Sequence, residues 1–174
     1  MKSIILPYKG ILPKIADDAF IAPSAAVIGD VKIGNKVGVW FNVTIRGDVA
    51  PITIGAGTNI QDNSCIHVTR GGHPTNIGAG VTIGHSALIH AATIEDNSFI
   101  GMGAIIMDDA VVESNAMLAA GAMLTPGKRI PSGQLWAGSP AKYFRDLTQE
   151  ELNFIPISAA NYMKHVEEYL QELN

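Results

Sequence analysis

The amino-acid sequence predicts an all-β fold, a parallel β-helix of six-residue rungs followed by a C-terminal α-helix. Two observations predict it. Hydrophobic residues make up 47% of the 174 residues and aromatic residues only 6%, so the apolar content is small and aliphatic, with 18 glycines available for tight turns. Aliphatic residues also recur every six positions, a period that fits short stacked strands rather than a single helix or a hairpin meander.

The rungs account for most of the chain, from Ile15 to Trp136. Each rung points one aliphatic residue inward, and three rungs close a triangular coil of about eighteen residues, which gives about seven triangular coils. The inward positions are Ile15, Ile21, Val27, Ile33, Val39, Ile45, Ile54, Ile60, Ile66, Ile77, Ile83, Ile89, Ile94, Ile100, Ile106, Val112, Leu118, Leu124, Ile130 and Trp136.

The repeat is irregular at three steps, and all three fall on the same face of the coil. The step is nine residues over Ile45–Ile54, eleven over Ile66–Ile77 and five over Ile89–Ile94. Random drift would scatter such irregularities, whereas insertions in repeat proteins tend to lie on the binding face. The clustering therefore indicates a functional site at this corner.

The last element predicted is a helix that packs along the coils. Thr148 and Glu151 form the sequence pattern of a capping box, and apolar residues follow at helical spacing. A proline inside a helix favours a bend, here at Pro156. We expect residues 1–145 to form the β-helix domain and residues 146–174 to form the helix, within a single structural unit.

Charge and cysteine content restrict the partners and the compartment. The formal net charge is −4, which argues against nucleic acid and against an anionic membrane surface as partners. A single cysteine, Cys65, excludes an intrachain disulfide and favours a reducing compartment. The N-terminal apolar run is broken at Pro7 and is too short for a signal peptide or a membrane span. We therefore expect a cytoplasmic protein.

Two histidines lie at the irregular corner, and a third lies at another corner. His67 follows Ile66 and His90 follows Ile89, so the two imidazoles should stack one coil apart, at about 4.8 Å. That spacing suits two nitrogens at about 2.0–2.1 Å from one zinc ion. His85 lies at a different corner, separated from His90 by an extended path of up to about 16 Å. We therefore expect His85 of a neighbouring chain to complete the site in a three-fold assembly.

Four other polar residues lie around these histidines. Arg46 occupies the same column one coil earlier, and Asp48 follows it at the first insertion, where it could fix the guanidinium. Asp62 lies below His85 in the stack and could orient that imidazole or pair with Arg46 across an interface. Gln61 lies beside it and could hydrogen-bond a metal-bound water.

Four sequence motifs resemble the γ-class carbonic anhydrase family, and the resemblance covers nearly the whole chain. They are "RGD" at 46–48, "NIQDNSCIH" at 59–67, "IGHSALIH" at 83–90, and "AGSPAK" at 137–142 leading into the terminal helix. The resemblance implies hexapeptide repeats wound into a left-handed β-helix, a homotrimer with metal between subunits, and reversible hydration of CO2 to bicarbonate.

By motif position, the resemblance also implies roles for individual residues. His67 and His90 of one chain and His85 of its neighbour would bind the metal, Arg46 and Asp62 would form an intersubunit ion pair, and Gln61 would contact the bound water. Three neutral imidazoles suit Zn²⁺, although Fe²⁺ and Co²⁺ also accept such ligands.

The chain departs from the archetypal pattern at two glutamates associated with catalysis and proton export. Val49 follows Asp48 where the archetype has a glutamate, and the loop at 68–76 contains no carboxylate. This departure predicts weak or silent activity. His73 is the one residue of that loop that titrates near neutrality; it is either a replacement proton shuttle or an ordinary loop histidine.

Two other functions are compatible with the sequence. The rungs and the "GSPAK" motif also fit a coenzyme A-linked acyltransferase or thioesterase, although such enzymes usually need one basic histidine rather than three. A trimeric scaffold clamped by metal, without catalysis, is the other alternative. Metal content would separate the first alternative from the rest, and CO2 hydration would separate an enzyme from a scaffold. Tyr162 could reach the site from the helix or only pack against it.

Overall fold

The computed structural model describes residues 3–173 and shows a left-handed parallel β-helix of about seven turns followed by a helix. The fold predicted from the six-residue period is confirmed. The elements are β1 (Ile4–Leu6), β2 (Lys14–Ile15), β3 (Phe20–Ile21), β4 (Ala26–Ile33), β5 (Gly38–Val39), β6 (Thr44–Ile54), β7 (Asn59–Ile60), β8 (Cys65–His67), β9 (Thr75–Ile77), β10 (Thr82–Ile83), β11 (Leu88–His90), β12 (Thr93–Ile94), β13 (Phe99–Ile100), β14 (Ile105–Ile106), β15 (Val111–Val112), β16 (Met117–Leu118), β17 (Met123–Leu124), β18 (Arg129–Ile130), β19 (Gln134–Ala137), β20 (Lys142–Asp146) and α1 (Gln149–Leu173).

The core is the internal stack of aliphatic side chains that the repeat predicts. Each inward residue lies in register with the one in the next coil, as Ile60 does with Ile83 and Ile83 with Ile100. Burying such a side chain contributes about 1.5–3 kcal/mol. Because each coil contacts only its neighbours, the stack holds the corners of successive coils at a fixed spacing.

The three faces of the prism differ in the residues that point outward. The first face, from β2 to β18, carries mainly polar residues, namely Lys14, Lys32, Thr53, Asn76, Thr93, Val111 and Arg129. The second face, from β3 to β19, is packed by α1 over β3, β5, β7 and β10. The third face, from the start of β4 to β17, carries Ala26, Thr44, Cys65, Leu88, Ile105 and Met123. This mostly apolar third face is not covered by α1.

The C-terminal helix begins with the capping box predicted from the sequence, which is confirmed. The backbone N–H of Glu151 donates to Thr148 Oγ1 at 3.2 Å, and the backbone N–H of Thr148 donates to Glu151 Oε2 at 2.9 Å. Arg145 donates two further hydrogen bonds to Glu151. These bonds, from Arg145 first and then from the Thr148 backbone, lower the pKa of Glu151 to about 2.

The end of the coil stack differs from a simple parallel solenoid. Strand β20 runs antiparallel to β19, whereas the preceding ladders are parallel. The strand ends at Asp146 and α1 begins at Gln149, continuing through Pro156 as a single helix. Within residues 3–173, no helix combines the length and apolarity needed to cross a membrane.

Candidate metal centre

His67 and His90 form a pair of facing imidazoles on the third face. They lie in register at the ends of β8 and β11. His67 Nδ1 is 3.2 Å from His90 Nε2. Two nitrogens at about 2.0–2.1 Å from one tetrahedral metal lie about 3.3 Å apart. The two rings are therefore spaced as ligands of a single metal ion.

The other nitrogen of each ring is held by a carboxylate. His67 Nε2 lies 3.0 Å from Asp48 Oδ1, and His90 Nδ1 lies 2.6 Å from Asp108 Oδ1. A carboxylate at this position accepts a hydrogen bond from the N–H of a neutral imidazole. This bond fixes the tautomer in which the opposite nitrogen has a free lone pair for a metal. Two such lone pairs facing each other can bind one cation between them, so the residues present fit a metal ion.

Both carboxylates stay charged at neutral pH. The hydroxyl of Thr69, 2.5 Å from Asp108 Oδ2, and then the imidazole of His90 lower the pKa of Asp108. Burial acts to raise the pKa of Asp48, but hydrogen bonds from His67 and Arg46 outweigh it, and the net pKa is lowered. Each carboxylate can therefore accept a hydrogen bond from its histidine.

The chain turns one residue early at the irregular corner, directly after His90. The short step after Ile89 puts Ala91 at φ 45°, the left-handed conformation that Asn63 and Ser86 also adopt at regular turns. Ala91 is buried, its N–H donates to His67 O at 3.1 Å, and its carbonyl accepts from Asp109 N at 2.8 Å. These two hydrogen bonds connect the early turn to the coils on either side.

His85 lies at a separate corner, after β10. Its Nδ1 is 2.9 Å from Asp62 Oδ2, and its side chain is 41% exposed. Its Nε2 has no hydrogen-bond partner among the residues that the structure describes. Asp62 therefore holds His85 on the side away from a potential ligand, as Asp48 and Asp108 hold the facing pair.

Gln61 and Tyr162 lie beside His85 and line the same groove. Gln61 is buried, and its Nε2 donates to Asn59 Oδ1 at 3.1 Å. The Tyr162 ring packs edge-on against Trp40, with centroids 5.6 Å apart. Burial, and then the charge of Asp62, raise the pKa of the Tyr162 phenol, so it keeps its proton at neutral pH.

Arg46 and His73 each pair with a carboxylate of the same chain. Arg46 pairs with Asp48, while Asp62 pairs with His85, so the Arg46–Asp62 pair is not formed inside one chain. His73 lies on the exposed loop after β8, with Nε2 3.1 Å from Asp109 Oδ1.

Among residues 3–173 of a single chain, no group of three histidines, cysteines or carboxylates has the geometry to hold a metal. The facing pair supplies two donors, and His85 points from another corner. Within one chain, the three histidines therefore do not meet at a single site.

The sequence interpretation missed Asp108 and Thr69. Asp108 follows Ile106 by two residues, and Ile106 lies in register with Ile89 in the coil below. A carboxylate one coil beyond the second histidine, at the same corner, was the available signal. Thr69 gave none, because its contact depends on how the inserted loop folds back.

Comparison with known proteins identifies the family. Gamma carbonic anhydrase 1, mitochondrial, of Arabidopsis thaliana is 50% identical over 171 residues, covering 93% of this chain and 62% of that protein. A carbonic anhydrase of Geobacillus kaustophilus is 43% identical over 149 residues, covering 86% of this chain and 81% of that protein. The chain belongs to the γ-class carbonic anhydrase-like family. It spans about three fifths of the length of the Arabidopsis relative.

Two family models and a solved structure match the repeats of this chain. Residues 74–107 match the family "Hexapeptide repeat of succinyl-transferase", and residues 91–126 match "Bacterial transferase hexapeptide (six repeats)". The crystal structure of a hexapeptide transferase family protein from Anaplasma phagocytophilum superposes with a TM-score of 0.92 at 48% identity. It covers 95% of this chain and 98% of that one. The repeat architecture is thus shared between relatives named for different chemistries.

Proposed function

We propose that the protein catalyses reversible hydration of CO2 to bicarbonate at a metal ion shared between neighbouring subunits of a homotrimer. One observation carries the proposal: His67 and His90 face each other at 3.2 Å, and each is held from behind by a carboxylate. Membership in the γ-class carbonic anhydrase-like family supports the reaction assigned to this arrangement.

The metal proposed is Zn²⁺, because its preferred tetrahedral sites accept three neutral imidazoles and leave one position for water. Fe²⁺ and Co²⁺ accept the same ligands and are alternatives. When bound, such an ion supplies a water whose pKa falls toward 7. The proposed ligands are His67 and His90 of one subunit and the partner subunit's His85.

The third face supports a shared site. Its outward residues are mostly apolar and are left uncovered by the chain's own helix, with Leu88 at 41% exposure. The facing histidines lie at the end of the same strands. Packing this face against the His85 corner of a neighbouring subunit would bury these apolar residues. It would also bring three imidazoles together. In that arrangement Arg46 would pair with the partner subunit's Asp62.

The other residues of the site have positioning and proton-handling roles in this proposal. Asp48, Asp108 and Asp62 hold the three imidazoles, and the Gln61 amide orients the attacking water beside CO2. Hydration releases one proton for each bicarbonate formed. His73 is proposed to carry it to solvent, since imidazole exchanges protons with buffer near neutral pH.

The proposal is tested by metal analysis and stopped-flow CO2 hydration on protein loaded with Zn²⁺, Fe²⁺ or Co²⁺. We expect about one metal per chain and hydration that is lost in His67→Ala and His90→Ala. Full metal occupancy without hydration would contradict the reaction and leave a metal-clamped scaffold. A metal-free protein that transfers or hydrolyses acyl-coenzyme A would support the transferase or thioesterase alternative instead.

A further inference from the structure

The second face places polar side chains under α1 at the coils that carry Gln61 and His85. Within residues 3–173, the outward residues of this face are Phe20, Gly38, Asn59, Thr82, Phe99, Met117 and Leu135. Asn59 and Thr82 are each 1% exposed, although an apolar pair would pack under the helix without the cost of burying polar groups. A buried polar layer at these two coils indicates a role in the site.

Four buried side chains form one chain of hydrogen bonds from the site to the helix. Gln61 Nε2 donates to Asn59 Oδ1 at 3.1 Å, and Asn59 Nδ2 donates to Thr82 Oγ1 at 3.1 Å. Thr82 Oγ1 lies 3.1 Å from Ser158 Oγ of α1. None of the four side chains belongs to a residue more than 8% exposed. Because they are buried under the chain's own helix, these contacts do not depend on a neighbouring subunit.

The direction of this chain follows from the donors and acceptors along it. Val81 O, a carbonyl that can only accept, lies 3.4 Å from Asn59 Nδ2. The Asn59 amide therefore turns its nitrogen toward Val81 and Thr82, and its oxygen toward Gln61. Since the Thr82 hydroxyl accepts from Asn59, its single proton is left for Ser158 Oγ, and a buried hydroxyl proton without a partner would be costly.

This direction leaves the oxygen of the Gln61 amide as the free end of the chain. Gln61 Oε1 forms no hydrogen bond within residues 3–173. It is not sealed in the core, since in that range Trp40 Nε1 is the only fully buried side-chain polar atom without a partner. An amide oxygen binds a hydrogen-bond donor. Water has a proton to donate and CO2 has none, so Gln61, which lies beside His85, can hold the attacking water but not CO2.

We propose that Thr82 and Ser158 are positioning residues, through which α1 fixes the Gln61 amide with its oxygen toward the site. Without Ser158 Oγ, the Thr82 proton has Asn59 as its remaining partner, and the amides of Asn59 and Gln61 are free to reverse. The reversed Gln61 would present an N–H, which cannot accept a hydrogen bond from water. That the group held by Gln61 is the attacking water rests on the proposed function; the direction of the chain does not.

Neutron diffraction from crystals of the assembled, deuterated protein tests the direction, because deuterium positions distinguish an amide nitrogen from an oxygen. In the wild type we expect deuterium on the Asn59 nitrogen facing Val81 and Thr82, and on the Thr82 oxygen facing Ser158. In Ser158→Ala we expect the deuterium of Gln61 to be divided between the two ends of its amide. A reversed chain in the wild type, or an unchanged Gln61 amide in Ser158→Ala, would overturn the proposal.

The kinetics of CO2 hydration test the role of the chain in the site. Thr82→Val removes the hydroxyl at nearly constant volume and should lower kcat/KM about three- to tenfold, the effect of one hydrogen bond. The value of kcat, which also includes proton release, should change less. Thr82→Ser keeps the hydroxyl and should restore kcat/KM. Thr58→Val is the matched control, because the buried Thr58 hydroxyl donates to Gly78 O and not to Asn59.

Three kinetic results would contradict the positioning role. They are an equal loss in Thr58→Val, an equal fall of kcat and kcat/KM in Thr82→Val, and no recovery in Thr82→Ser. If the wild type hydrates no CO2, the proposed reaction fails, and the neutron map alone decides the direction of the chain.

Discussion

At the scale of single residues, the spacing of the rungs predicts which imidazoles stack but not which carboxylates hold them. His67 and His90 follow inward isoleucines in neighbouring coils, so their register depends only on the repeat. Their contacts with Asp48 and Asp108 are made by side chains outside the histidine column, so the column alone does not identify these partners. The pairing of Asp62 with His85 was among the predicted contacts because both residues lie at regular positions.

Asp108→Asn should weaken metal binding, because the amide keeps the size of the side chain but removes the charge that orients His90. Loss of a carboxylate behind a metal-bound histidine typically costs 10–100-fold in metal affinity. We expect the dissociation constant to rise by about tenfold or more in competition titrations with a chelator. Asp109→Asn is the matched control, since Asp109 contacts His73 and not His90. Equal affinities in both variants and the wild type would show that Asp108 does not position the ligand.

At the scale of elements, the apolar period identifies each rung, and the capping box identifies the start of α1. The sequence analysis did not predict strand β20, because no six-residue pattern remains beyond the last regular rung. This strand reverses direction and pairs antiparallel with β19. Its Arg145 nevertheless ties the end of the β-helix to the first turn of α1 through Glu151. The junction between the two parts of the chain therefore depends on an ionised carboxylate.

Acid should loosen α1 through Glu151. The folded-state pKa, about 2, lies below the usual value, so the stabilisation is present above about pH 5 and is lost as pH falls toward 2. Glu151→Gln keeps a capping acceptor but removes the charge, so it should remove this pH dependence and lower the free energy of unfolding at neutral pH by about 0.2–1 kcal/mol, the usual range for a partly exposed ion pair. Helical circular dichroism, followed through acid titration and chemical denaturation, measures both effects. Glu150→Gln is the control; an equal loss there would exclude a specific role for Glu151.

At the scale of the whole molecule, the three faces of the prism have different exteriors. The first is polar, the second is packed by α1, and the third is largely apolar and ends in the facing histidines. The repeat produces this division, because outward residues occupy a fixed position in each rung. It also places His85 on another corner, so two corners of different subunits must meet to complete a three-histidine site. That requirement gives a direct test of the shared centre.

Mixing two inactive variants should restore part of the metal binding if the centre is shared. Neither His85→Ala nor His67→Ala forms an intact site alone. In a ring of three, every mixed trimer has one junction that joins an intact His85 to an intact His67 and His90, so random exchange should recover about a quarter of the wild-type metal content. Mixing His67→Ala with His90→Ala is the matched control and should recover nothing, because those two ligands come from the same chain. Subunit exchange is verified by mass spectrometry of tagged chains. The shared centre is wrong if exchanged trimers of the first mixture bind no more metal than those of the control.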